Sequence, residues 1–342
     1  TEKIERSKVL QLAPRGAVVA GQAVVGIIGA GNFAQGILLP ALQKTPARRV
    51  AVADLNAMAA RHAAQKFGFE QAVTDHKLIL DNPDVRAIFV VVGHHLHARF
   101  VCEALEAGKH VYVEKPLALN AEQLAQVAEV AARHPNQQIM VGFNRRFSPH
   151  TQQIRKLLQG RSEPLCMNMT VNAGAIPPDH WIQDPQRGGG RIIGEGCHFI
   201  DLLSYLAGSP VTTVSAIMAG EGPAVRDDRM SIVLGFADGS VGTVNYFSNG
   251  AKSYPKEMLE VFSDGRVLRM ENFRVTHGYG FKGFSKFKTS SQDKGHGAEI
   301  GAFVERLAKG GEPLIPFDQL VNATQASFAA LASAQEGRTI RL

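Results

Sequence analysis

The apolar positions fall into two textures along the chain. In the first, short apolar runs alternate with amphipathic stretches. The run at 23–28, A-V-V-G-I-I, is β-branched and followed by glycines, which predicts a buried parallel strand. A helical pattern follows over 32–43, then a strand over 49–53 ending at Asp54, and an Ala-rich helix over 57–67. A short strand at Val73 and a small helix over 76–80 precede the breaker Asn82-Pro83. Further strands are predicted at 87–92, 110–113 and 139–141, with helices at 98–107 and 121–133 between them. Strands alternating with helices of this length indicate βαβ units around a parallel sheet.

In the second texture the strands succeed one another: 167–171, 211–218, 230–236, 240–246, 258–262 and 266–270. Ala237-Asp238-Gly239 and Ser263-Asp264-Gly265 supply hairpin turns between them. Helices are predicted at 300–308 and 317–335, and 279–297, rich in Lys, Ser and Gly, as a mobile loop. The expected fold is therefore α/β: a Rossmann dinucleotide-binding domain over 22–144, then an α+β domain over 145–342 with a mostly antiparallel sheet, which a family resemblance in its motifs implies to be open, to bind substrate and to serve oligomerisation. Residues 1–21 read as an N-terminal arm or linker.

Composition adds bounds. With 342 residues, 45% of them hydrophobic and 20% charged, the chain can bury a large core without disulfides or structural metal. Three separated cysteines, Cys102, Cys166 and Cys197, argue against a disulfide framework and for reduced thiols in the cytoplasm. No run approaches the ~20 apolar residues that span a bilayer, and the start of the chain lacks the apolar stretch of a signal peptide. The net charge of +6 is not gathered into a basic, aromatic-rich face, so an anionic dinucleotide is a better partner than nucleic acid.

Candidate chemistry begins at Gly29-Ala30-Gly31-Asn32-Phe33-Ala34, a G-x-G-x-x-A loop between a strand and a helix. Gly29 would make the tight turn, Gly31 would admit a pyrophosphate to the backbone, and Ala34 would let helix and strand pack closely. The helix N-terminus, with Asn32 and Phe33 in its first turn, would receive the diphosphate. Asp54 ends the second strand, where a carboxylate accepts hydrogen bonds from the adenosine ribose and repels a 2′-phosphate, favouring NAD over NADP. Asp54 as a cap of the next helix is the plainer alternative. His94, His95 and His97 lack a thiolate or carboxylate at matching spacing, so no metal site is expected there.

Four segments carry a family resemblance: G-A-G-N-F-A, E-A-G-K-H-V-Y-V-E-K-P at 106–116, G-F-N-R-R-F at 142–147 and G-G-G-R-I-I-G-E-G-C-H-F-I-D at 188–201. From about Val24 to the C-terminus the chain resembles the glucose–fructose oxidoreductase / inositol dehydrogenase (Gfo/Idh/MocA) family. The G-R-I-I-G-E variant also resembles the C-terminal half of two-domain oxidoreductases, and the stray arm and absent initiator Met fit that placement. The resemblance implies hydride transfer between NAD and a ring hydroxyl or keto group of a sugar, cyclitol or nucleotide sugar, in a homodimer or homotetramer. It matches Lys115 to the family's E-K-P lysine and His198 to its active-site histidine. Gly93, His94, His97 and Glu114 fall beside the cofactor.

One departure is notable: many relatives carry Asp four residues before this histidine, and here that residue is Gly194. Glu195, one position on, could share a face with His198 and replace it, or Asp201 could orient the ring. Asn144, Arg145, Arg146 and Arg191 are candidate substrate contacts suited to an anionic sugar, with interdomain ion pairs as the plain alternative. Trp181 could stack on a sugar ring or simply pack. Two other functions fit the same motifs: glycoside cleavage by transient oxidation on a retained NAD, and a non-catalytic nicotinamide-binding sensor.

Overall fold

The computed structural model describes residues 8–17, 19–220 and 228–342. Residues 1–7 and Val18 of the expected arm lie outside the described residues. The chain forms two compact units, one of Thr1–Leu117, Ala125–Gly142 and His296–Phe317, the other of Ala118–Leu124, Phe143–Gly295 and Asp318–Leu342.

The first unit is built on seven strands: β1 (Val9–Gln11), β2 (Val24–Ile28), β3 (Arg48–Ala53), β4 (Gln71–Val73), β5 (Ala87–Val90), β6 (His110–Val113) and β7 (Ile139–Val141). Their order is β1-β4-β3-β2-β5-β6-β7. Every neighbouring pair is parallel except β1 and β4, which run antiparallel with Val9 opposite Val73. The helices α1 (Leu39–Gln43), α2 (Ala57–Phe67), α3 (Lys77–Leu80), α4 (His97–Glu106) and α5 (Ala121–Arg133) connect successive parallel strands. The order reverses direction between β2 and β5, which is where ligands of such sheets bind.

β2 is buried along its whole length because it is central, which is why its sequence reads as unbroken apolar residues. β1 was not expected within the arm. Three residues at a sheet edge, two of them exposed, give no alternation long enough to detect.

The second unit holds α6 (Pro149–Leu157), α7 (Cys197–Ala207) and nine strands: β8 (Cys166–Asn172), β9 (Val211–Met218), β10 (Arg229–Phe236), β11 (Val241–Phe247), β12 (Glu257–Ser263), β13 (Arg266–Glu271), β14 (Val275–Tyr279), β15 (Lys286–Lys288) and β16 (Ile340–Arg341). They form one open sheet in the order β15-β14-β13-β12-β8-β11-β10-β9-β16. Only β8 and β11 pair in parallel, with Val241 opposite Cys166. α8 (His296–Lys309) follows and belongs to the first unit; α9 (Phe317–Glu336) lies almost wholly in the second.

One face of the sheet, including Met169, Val244, Leu259 and Leu268, packs with Ile154, Ile200, Leu203, Ala326 and Ala330 from the helices. The other face exposes Ile217, Val233, Val241 and Phe262, which the strand register places on one side. The segment 279–297, expected as a loop, contains β15 paired to β14 and the first residues of α8. Its Lys and Ser residues suit an exposed edge strand, so composition hid the strand.

Candidate functional site

In the first unit, four loops at the carboxyl ends of neighbouring strands carry the expected cofactor residues. Gly29 follows β2 with φ of 105°, and a Cβ there would collide with the Val91 carbonyl oxygen. A Cβ on Gly31 would meet nothing within 4 Å. The first glycine is thus demanded by the turn, while the second leaves an open space against backbone N–H groups at the start of a helix, as a diphosphate requires. Asn32 and Phe33 are exposed beside it, Ala34 is buried against the sheet, and the Gln35 side-chain amide donates to the Ala30 carbonyl at 2.7 Å.

Asp54 reaches back to this loop. Its Oδ2 accepts from the Ala30 N–H at 2.8 Å, and its Oδ1 accepts from the Asn56 N–H at 2.8 Å. The cap of α2 is instead Asn56, whose side chain accepts from the N–H groups of Met58 and Ala59. Asp54 therefore braces the glycine loop and does not cap the helix. Each carboxylate oxygen keeps a second lone pair for a hydroxyl donor.

After β5, Gly93 opens a short 3-10 turn, His94–Leu96, and α4 follows. His97 is fully buried, with Nδ1 2.7 Å from the Pro116 carbonyl and Nε2 3.1 Å from the Val92 carbonyl. Burial pushes this imidazole down to about 4, against the pull of the two carbonyls. A neutral ring has one N–H, so it donates to one of these two carbonyls at a time while it sits between the turn after β6 and the loop after β5. It is a brace, where a direct cofactor contact was expected. The His94 ring, also buried, lies 5.6 Å from it.

Lys115 sits half-buried on the turn after β6, before a cis Pro116. Glu114, beside it, is buried, and burial raises its carboxyl to about 7 against the Lys115 charge and the contact with the Tyr112 hydroxyl at 3.0 Å. Among the described residues no group of three or more His, Cys, Asp or Glu is arranged to hold a metal.

In the second unit, His198 lies in the first turn of α7, nearly buried, its ring edge-on to Phe143 at 6.1 Å. The segment before it, Ile192–Gly196, is wound as a π-turn. Such bulges alter which residues share a face, so the α-helical spacing assumed for Gly194, Glu195 and His198 does not hold. The Glu195 carboxylate accepts from Arg191 at 3.0 Å and from the Tyr246 hydroxyl. Asp201 faces the guanidinium fork of Arg146, with contacts of 2.7 to 3.0 Å, and is fully buried. Its oxygens are directed to that fork, and the expectation that it orients His198 loses its basis.

The expected substrate arginines are occupied likewise. Arg145 pairs with Glu257 through two 2.9 Å hydrogen bonds, and Lys294 reaches the same carboxylate at 2.6 Å. Burial would raise Glu257, yet Arg145 and Lys294 hold it down at about 2. Arg191 donates to the Gly174 carbonyl at 2.6 Å and lies over the Tyr246 ring. Asn144 donates to the Lys294 carbonyl at 2.8 Å. These four side chains hold the second unit together where contacts to an anionic sugar were expected. Trp181 remains an exposed candidate at 39%, its ring beside His180. A Cβ on Gly188 would collide with the Ile182 backbone, so its own chain accounts for that glycine.

The partner Glu257 was missed because it lies 112 residues from Arg145, and Lys294, 37 residues further on, because no local pattern links it to that carboxylate. A parallel sheet reversing beside a bare glycine loop, with a carboxylate bracing that loop, defines a dinucleotide-binding protein. The family comparison agrees. Residues 24–143 match the oxidoreductase family with NAD-binding Rossmann fold, and residues 151–268 match the Gfo/Idh/MocA C-terminal domain. An inositol 2-dehydrogenase of Paenarthrobacter aurescens is 30% identical over 72% of this chain and 75% of its own. A myo-inositol 2-dehydrogenase of Thermotoga maritima is 26% identical over 85% of this chain and 90% of its own. The structure of a levoglucosan dehydrogenase with NADH and levoglucosan superposes with a TM-score of 0.82 at 24% identity, covering 94% of this chain and 99% of that one. This chain belongs to the Gfo/Idh/MocA family of NAD-binding oxidoreductases. Among its described residues, no helix is long and apolar enough to cross a membrane.

Proposed function

We propose that the chain is a dehydrogenase that transfers hydride between NAD and a ring hydroxyl, or its keto counterpart, on a neutral sugar or cyclitol. The observation that carries this reading is the cluster of open Gly31 backbone, Asp54 and Lys115 on adjacent loops at one end of the first sheet. Relatives named for inositol and levoglucosan oxidation support the substrate class. A neutral ring is preferred over an anionic one because Arg145, Arg146 and Arg191 already have acidic partners.

Bound NAD supplies the hydride acceptor. Gly31 and the following helix turn hold its diphosphate, and Asp54 accepts hydrogen bonds from the adenosine ribose and disfavours a 2′-phosphate. Lys115 takes the proton of the reacting hydroxyl as the carbon is oxidised, and His198 is the acid–base candidate of the second unit. The outward sheet face with Ile217, Val233, Val241 and Phe262 is the surface that a homodimer or homotetramer would cover. The proposed compartment is the cytoplasm, which would keep Cys102, Cys166 and Cys197 reduced.

The test is NADH formation, followed optically, over a panel of cyclitols, free sugars and nucleotide sugars. Steady NADH with a free ring alcohol is expected. Glycoside cleavage without net NADH, or tight NAD binding with no turnover on any member, would overturn the reading. Lys115→Met is expected to bind NAD normally by calorimetry and lose at least a hundredfold in turnover, the usual weight of general acid–base help. Unchanged turnover would remove Lys115 from this role.

A further inference from the structure

Tyr112, Glu114 and Glu299 meet inside the first unit. Tyr112 and Glu114 come from β6 and its end, and Glu299 from the first turn of α8. The Tyr112 hydroxyl lies 3.0 Å from Oε1 of Glu114 and 3.1 Å from Oε2 of Glu299. The three residues are 1%, 8% and 0% exposed. A phenol has a single proton to give. If both acids were ionised, one of these two short contacts would set phenol lone pairs against an anionic oxygen in a low-dielectric interior. The geometry is satisfied when one acid carries a proton and donates it to the phenol oxygen.

We propose that Glu114, Tyr112 and Glu299 share a proton at neutral pH, and that Glu299, acting through Tyr112, is a positioning residue that keeps the carboxyl beside Lys115 uncharged. The groups facing Glu114 are Lys115 and Tyr112 on its own strand end and Glu299 from α8. From β7 comes Gly142, where a Cβ would lie 2.9 Å from Oε1 of Glu114. That close backbone approach excludes side chain and solvent alike. Burial, which lifts Glu114 to about 7, agrees with the shared proton.

The consequence concerns Lys115, and this part rests on the dehydrogenase reading above. An ionised Glu114 would favour the ammonium form of its neighbour; a neutral one lets the amine form at lower pH, as a base for the hydroxyl proton must. In Glu299→Gln the amide donates to the phenol oxygen and frees the phenol proton for Glu114. Glu114 then ionises and places a negative charge beside the Lys115 ammonium.

Infrared difference spectra of wild type minus Glu299→Gln at pH 7, without substrate, should show the carbonyl stretch of a protonated carboxylic acid. In the wild type alone that band should titrate away as the pH rises past about 7, so the test survives a variant that fails to fold. Absence of the band overturns the shared proton. In kinetics, the acid limb of the kcat/KM profile for alcohol oxidation should move up by about one pH unit in Glu299→Gln. That is a roughly tenfold loss on the limb, recovered at high pH. An equal loss at every pH, or an unmoved limb, overturns the positioning role. Because the band is read without substrate, a protein that oxidises nothing on the panel fails the functional reading alone.

Discussion

Gly29 and Gly31 are two positions apart, and their reasons for being glycine differ. Gly29 has a positive φ and the Val91 carbonyl against it; Gly31 has open space. Gly29→Val should therefore lower the Tm clearly, because strain and collision must both be relieved. Gly31→Val should leave the Tm within a degree or two and weaken NAD binding at least tenfold, about 1.4 kcal/mol, in calorimetry. Equal Tm losses in the two variants would argue that Gly31 is also structural. The turn at Gly29 was readable in the sequence because a G-x-G string between a strand and a helix needs its first glycine there. The partners of Arg145 and Arg146 were not, since Glu257 and Asp201 are distant along the chain.

At the scale of elements, the strands and helices of the first sheet could be read from β-branched apolar runs cut by Gly, Asn and Pro. The three-residue edge strands β1 and β15 could not, since few of their positions must be apolar, nor could β14, whose one buried residue is Thr276. The π-turn Ile192–Gly196 was invisible for another reason: five residues leave no periodicity to distinguish 3.6 from a wider winding. The short 3-10 element Asn144–Phe147 carries two arginines tied to different partners, Glu257 on β12 and Asp201 on α7. It is an anchor for the second unit. Arg146→Met leaves Asp201 buried and uncompensated, and should cost about 3–5 kcal/mol in denaturant unfolding. A loss under 1 kcal/mol, with a large rise in KM, would restore Arg146 to the substrate.

At the scale of the whole molecule, His97, Glu257 and Glu114 shape the pH response, beside His110 and His150, which burial lowers, and Asp201, which burial raises. Folded His97 sits at about 4, below its ordinary 6.5, so its contribution is full above 6.5 and lost as pH falls towards 4, on the order of 3 kcal/mol. Glu257, at about 2 against 4.5, adds a loss as pH falls below 4.5. Glu114, raised to about 7, works the other way: its contribution is present below 4.5 and lost as pH rises through 7. Between 4.5 and 6.5 the first and third oppose each other. Melting curves should show stability rising more steeply with pH across that window in Glu114→Gln than in the wild type, and less steeply in His97→Asn. Matching slopes in the two variants would refute the assignment.

The first unit also has a consequence for how the protein is made. It closes only with α8, whose Phe303 ring meets Phe89 edge-on at 5.6 Å and lies 5.9 Å from Tyr112. A ribosome delivers that helix last, after nearly all of the second sheet has emerged. The nascent dinucleotide-binding half therefore lacks the third ring of its aromatic cluster until most of the chain has been made.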